Sequence, residues 1–316
     1  MKNSLLKTDN KAKYSGLYFS VLVVAMLATS TLLALIFPNA NLDNPDGNLL
    51  FTFFSFALSG LTILGVTVYY AFANEENLLQ TFQWKKTSAK YYLLAVFAFV
   101  AVFFGLGNLN EIFIDFLSDK FGYVAHAVTL PSLNPFNYIM VVLTVCILPA
   151  VAEEIAMRGV VLKGVQTGKT VVNALIGGFI FSIYHMNPAQ TPYQFAVGFI
   201  FSLIAIKSQS TLPTTIAHFL NNFVIINIEY FFPTFSFFGG VGIWSVAIPG
   251  LICFVALVVL LIIDGGDSNE KSEVKENGAQ NYKEQSGSVK EFILTALVGL
   301  IVCLLVWILG LFPGEL

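Results

Sequence analysis

The stretch Tyr138–Arg158, YIMVVLTVCILPAVAEEIAMR, decides the fold. It runs apolar without interruption from Tyr138 to Val151. With no turn residue between, it then presents Glu153, Glu154 and Arg158. A lipid-embedded helix carries charge only where it faces protein or a polar cavity, so this segment belongs inside a membrane bundle rather than alone in lipid. Working outward, apolar runs recur on both sides. A hydrocarbon core of about 30 Å calls for about 20 apolar residues per helix. The candidates are Gly16–Pro38, Leu49–Ala73, Tyr91–Gly107, Phe136–Val151 with its helical continuation, Thr170–Asn187, Tyr193–Lys207, Leu212–Phe232, Gly240–Ile263 and Glu291–Phe312. The expected fold is an all-α, polytopic transmembrane helical bundle of about 8 to 9 membrane helices, eight if one short segment is re-entrant.

Composition agrees. Of 316 residues, 56% are hydrophobic and 11% charged, and 31 are Phe. With a mean hydropathy of +0.77, that much apolar surface cannot be hidden in one water-soluble core, which excludes a soluble enzyme. Net charge is -3, and no cationic run exceeds Lys85-Lys86, so nucleic acid is excluded as a partner and the bilayer takes its place. Cys146, Cys253 and Cys303 lie singly inside apolar runs, as buried thiols do.

Short cytoplasmic loops hold the excess of Lys and Arg. With the N-terminus inside, fifteen of the sixteen cations fall on the cytoplasmic side and only Lys120 lies outside. This alternation favours nine spans in a multi-pass cell-membrane protein with a cytoplasmic N-terminus, its first helix an uncleaved anchor. Scarce Arg and Cys beside abundant Phe, Asn, Lys and Ile point to a bacterial source. Four regions follow: 1–133, about three membrane helices and an outer amphipathic loop; 134–263, the polar-bearing membrane core; 264–290, a disordered charged cytoplasmic linker; and 291–316, an extra, peripheral membrane helix. In the outer loop, Glu111, Asp115 and Asp119 alternate with Ile112, Phe113 and Phe116 at helical spacing, which predicts a short interfacial helix. His126 there has no acidic neighbour and is given no role.

The core gathers the residues a bilayer disfavours. Two of the three histidines, His185 and His218, and the single arginine, Arg158, fall here with Glu153, Glu154, Asn221 and Asn222. Residues four apart share a helix face, so Glu154 faces Arg158, Phe181 lies under His185, and His218 lies beside Asn222. Each also has a plain structural reading: Glu154–Arg158 as a helix-holding ion pair, the histidines as satisfied core residues, the asparagines as cross-links between helices, Phe181 as packing. Glu153 is the exception, a carboxylate with no local partner, and such a group beside a histidine is suited to general-base work.

In order, Glu153-Glu154-Ile155-Ala156-Met157-Arg158, Phe181-Ser182-Ile183-Tyr184-His185 and His218-Phe219-Leu220-Asn221-Asn222 read E-E-x-x-x-R, F-x-x-x-H and H-x-x-x-N. This set resembles the CAAX-processing and bacteriocin-processing (CPBP, Abi) family of intramembrane proteases over roughly Asn134–Phe232. The resemblance implies that region 134–263 is catalytic, that Glu153 and His185 activate a water, that His218 and Asn222 stabilise the oxyanion, and that Glu154 and Arg158 support the site. No cofactor is required by this reading. A zinc held by Glu153, His185 and His218 stays open, because family members are often called metalloproteases, although no H-E-x-x-H is present. The expected function is an intramembrane endopeptidase acting on a membrane-associated peptide or protein substrate through a Glu/His-activated water. The alternatives are a non-proteolytic bacteriocin self-immunity or peptide-binding membrane protein, and a proton-coupled transporter, which the absence of a sequence repeat disfavours.

Overall fold

A computed structural model describes residues 11–125, 129–165, 167–232, 243–264 and 281–312. His126 and most of the expected linker lie outside them. The helices are α1 (Lys11–Ile36), α2 (Leu49–Ala73), the short α3 (Leu78–Phe82), α4 (Ala89–Phe121), α5 (Pro135–Gly164), α6 (Thr170–Tyr184), α7 (Thr191–Ser208), α8 (Leu212–Phe231), α9 (Ile243–Ile263) and α10 (Asn281–Gly310). The described residues contain no strand, and the protein is an all-α polytopic bundle. Local chemistry sets the ends. Asn48 and Asn134 cap α2 and α5 by accepting from the backbone N–H of Phe51 and Asn137, with Pro135 opening α5. Gly122 closes α4 at φ +67°, a conformation a β-carbon disfavours.

Among the described residues, seven helices are long and apolar enough to cross a membrane, and large apolar side chains such as Leu35, Phe72 and Ile263 are exposed. The remaining two are α6, which is short, and α8, in which His218, Asn221, Asn222, Asn227 and Glu229 dilute the apolar character. In α8, site residues are thus part of the reason the span reads weakly. The helix ends expected on one side of the membrane are tied together. Thr87 Oγ1 donates to the Ser208 carbonyl, Ser210 Oγ to Lys85, Lys163 Nζ to Gln80, and Thr295 Oγ1 to Lys13. At the opposite end, Asp46 accepts from the Ser132 backbone N–H, and Trp307 Nε1 donates to Thr191 Oγ1.

Three expectations change. Residues 108–121 form no separate interfacial helix: they are the last turns of α4, because nothing before Gly122 breaks the helix. The polar residues 281–290 are helical, since extending an anchored helix avoids the nucleation cost a free segment would carry. And α10 is not peripheral. It packs along α1, where Ser20 Oγ donates to the Thr295 carbonyl and accepts from the Gly299 N–H, while Phe292, Ala296 and Cys303 are buried.

Candidate active site

The site is built on α5, whose helical ladder widens to π turns at Val142–Ile147 and Ile155–Val161, on either side of the acidic pair. Such turns recur at functional sites because they re-aim side chains. The first has a visible cause. Pro149 has no N–H to offer the Val145 carbonyl four residues back, and its ring crowds that carbonyl. Asn222 Nδ2 donates to the Val145 oxygen instead, at 3.2 Å.

Glu154 and Arg158 form the fixed part. Arg158 Nη1 donates to Glu154 Oε1 at 2.8 Å, with the side chains 1% and 0% exposed. Arg158 Nη2 donates to the Gly198 carbonyl at 3.3 Å, and the guanidinium lies 4.4 Å over the Phe181 ring. Phe181 is therefore packing for two site residues, its ring also standing 4.7 Å from that of His185. The helix α7 comes close enough because Gly198 is glycine: a β-carbon there would stand 2.8 Å from Gly178 Cα.

Both imidazoles are fixed through Nδ1. His218 Nδ1 lies 3.1 Å from Glu154 Oε1, and His185 Nδ1 lies 2.7 Å from the Phe181 carbonyl. A carbonyl and a carboxylate held by Arg158 only accept, so each Nδ1 carries the proton and donates. Each Nε2 is then left facing Glu153. Glu153 Oε2 stands 3.8 Å from His185 Nε2 and 3.9 Å from His218 Nε2, buried and without a hydrogen-bond partner. These separations are too long for direct bonds and suit groups that share one small polar molecule.

Glu153, His185 and His218 thus come together around one point, with Glu154 and Arg158 behind His218. Asn222 is engaged elsewhere, between the Val145 carbonyl and Asn221 Nδ2, which donates to its Oδ1 at 3.1 Å. Sequence reasoning did not single out Gly198, Phe201, whose ring faces His218, or Tyr193, whose hydroxyl donates to Asn221 Oδ1 at 2.5 Å. Only the glycine pair 178 and 198 carried a signal, as small residues at a helix crossing.

A zinc ion would find the right chemistry in Glu153 Oε2 and the two Nε2 atoms. Tetrahedral bonds of about 2.0–2.2 Å put neighbouring donors roughly 3.3–3.6 Å apart, closer than the 3.8 and 3.9 Å seen here. Among the described residues, no group of three or more His, Cys, Asp or Glu is placed to hold a metal ion. The residues as placed do not fit one, and no step below runs through a metal.

No curated protein and no solved structure matches the chain. Residues 135–224 match the family model Rce1-like, described as Type II CAAX prenyl endopeptidase Rce1-like. The match opens at the first residue of α5 and ends inside α8, so it contains every residue of the site just described. Over residues 135–224 the chain is thus similar to the CAAX protease-like family, in line with the resemblance that its motifs carry.

Proposed function

We propose that the protein is an intramembrane endopeptidase that hydrolyses a peptide bond of a membrane-associated peptide or protein. The observation that carries this reading is the convergence of Glu153 Oε2 on the Nε2 atoms of His185 and His218, each ring held by its own Nδ1 bond. A water among these groups donates one hydrogen to Glu153 and the other to His185 Nε2. Glu153 takes the proton as the water oxygen attacks the carbonyl carbon. The carbonyl oxygen becomes an oxyanion facing protonated His218, whose Nε2–H donates to it while Nδ1–H stays on Glu154. Asn222, one turn along α8, has a second amide hydrogen for the same oxygen. Collapse of the tetrahedral intermediate breaks the C–N bond, and the proton on Glu153 passes to the leaving nitrogen.

With His218 protonated in that step, its charge and that of Arg158 face the two carboxylates, Glu153 and Glu154. The N-terminus is cytoplasmic in this reading, from the distribution of cations. The family description does not by itself make the substrate prenylated. The test is cleavage of internally quenched peptides, bilayer-tethered by a prenyl or an acyl chain and untethered, by the full chain in proteoliposomes. Glu153→Gln, His185→Ala and His218→Ala should each abolish cleavage while the protein stays folded. Retained cleavage in all three overturns the proposal.

A further inference from the structure

Beside the residues assigned so far stands a second buried polar group with nothing to bond. Tyr184 precedes His185 at the end of α6 and is 6% exposed, and its hydroxyl has no hydrogen-bond partner. Burying a hydroxyl in that state is unfavourable, and native structures seldom do it without a reason. Its ring meets the His185 ring edge to face, centroids 5.9 Å apart, and is backed by Phe19 of α1. The His185 ring it packs on stands 3.8 Å, through Nε2, from Glu153 Oε2. Glu153 Oε2 is the complementary orphan: a buried acceptor that lacks a donor.

We propose that Tyr184 is a positioning residue whose hydroxyl donates to the Glu153 carboxylate across one water and keeps it aimed between the two imidazoles. The inference rests on the reading of Glu153 as the base. It explains why a phenol, with a hydroxyl that packing alone does not require, stands at this place in an apolar helix. His185 cannot do this work, because its Nδ1–H is committed to the Phe181 carbonyl, and His218, whose Nδ1–H is on Glu154, has its Nε2 3.9 Å from Glu153 Oε2, too far for a direct bond. Ser182, the other hydroxyl on this turn, donates to the Thr191 carbonyl at 2.8 Å.

The test uses the full chain in nanodiscs, with tyrosine labelled at the ring carbon that bears oxygen. Tyr184→Phe identifies the Tyr184 resonance by its loss. Glu153→Gln should then move that resonance more than those of Tyr69 and Tyr138; an equal or smaller movement overturns the proposal. In the cleavage assay, Tyr184→Phe should lower kcat roughly tenfold, as loss of one hydrogen bond to a charged group does, with KM within about twofold and an unchanged or higher unfolding temperature. A phenylalanine variant with wild-type kcat also overturns it. Cleavage by Glu153→Gln at the wild-type rate would instead sink the assignment of the base, whereas an inactive Glu153→Gln with an unmoved Tyr184 resonance sinks only the role of Tyr184.

Discussion

Replacing Arg158 with Met would isolate the Glu154 carboxylate inside the bundle, and the size of the effect can be worked from its contacts. Three interactions disappear: the 2.8 Å bond to Glu154, the 3.3 Å bond to the Gly198 carbonyl and the cation over Phe181. The Gly198 carbonyl is not orphaned, because Ser202 Oγ also donates to it at 2.6 Å. Met covers Phe181 about as well as the guanidinium stem does. What remains is a carboxylate, 0% exposed, facing His218 and the Thr214 side chain. Breaking a buried pair from one side costs about 3–5 kcal/mol, whereas replacing both partners is often close to neutral. The single variant Arg158→Met should therefore lower the unfolding temperature in detergent by on the order of 5–10 °C, and adding Glu154→Gln should recover most of that loss. Glutamine keeps the shape and still accepts from His218 Nδ1. Thermal unfolding of wild type, both single variants and the double variant measures the coupling. A double variant no more stable than Arg158→Met would refute the view that the pair is held together by charge compensation.

Two further outcomes follow from other parts of the fold. Asn222→Ala removes the donor to the Val145 carbonyl, which Pro149 cannot replace, and should cost about 1–3 kcal/mol; adding Pro149→Ala returns an N–H and should recover part of the loss, so an unfolding midpoint that fails to rise contradicts this account of the first π turn. At the end of α9, burial pushes the Asp264 carboxyl up, but the Tyr91 hydroxyl at 2.6 Å and Lys90 Nζ at 2.9 Å outweigh it and hold the group below its ordinary value. A depressed carboxylate adds stability above its unfolded value of about 3.9 and loses it as pH falls through the folded value, so Asp264→Asn should be less stable than wild type at pH 7 and match it in strong acid; a gap that persists in acid removes the charge from the explanation.

Much of this arrangement is legible in the chain, and the legible part has a common physical origin. A bilayer penalises charge so strongly that Glu153, Glu154, Arg158, His185 and His218 stand out against apolar runs, and spacing of four already pairs Glu154 with Arg158. The same penalty marks the helices. What stays hidden depends on the third dimension or on departures from regular geometry. Pro149 in an apolar helix signals a disturbed ladder but not that Asn222 would complete it. The packing of α10 on α1 rests on Ser20, Thr295 and Gly299, which look like ordinary small residues in a span. Glu111, Asp115 and Asp119 mimic an interfacial helix because a long helix leaving the membrane has the same periodicity as one lying on it.

The brevity of α6 matters for how a hydrolase could work in oil. Its 15 residues rise about 22 Å, some 8 Å less than the hydrocarbon they would have to cross. The bilayer must pinch there, or the polar turn that follows His185 must open a wet notch below the headgroups. A shortfall at the end of α6 that carries His185 would bring bulk solvent close to an imidazole whose side chain is 17% exposed.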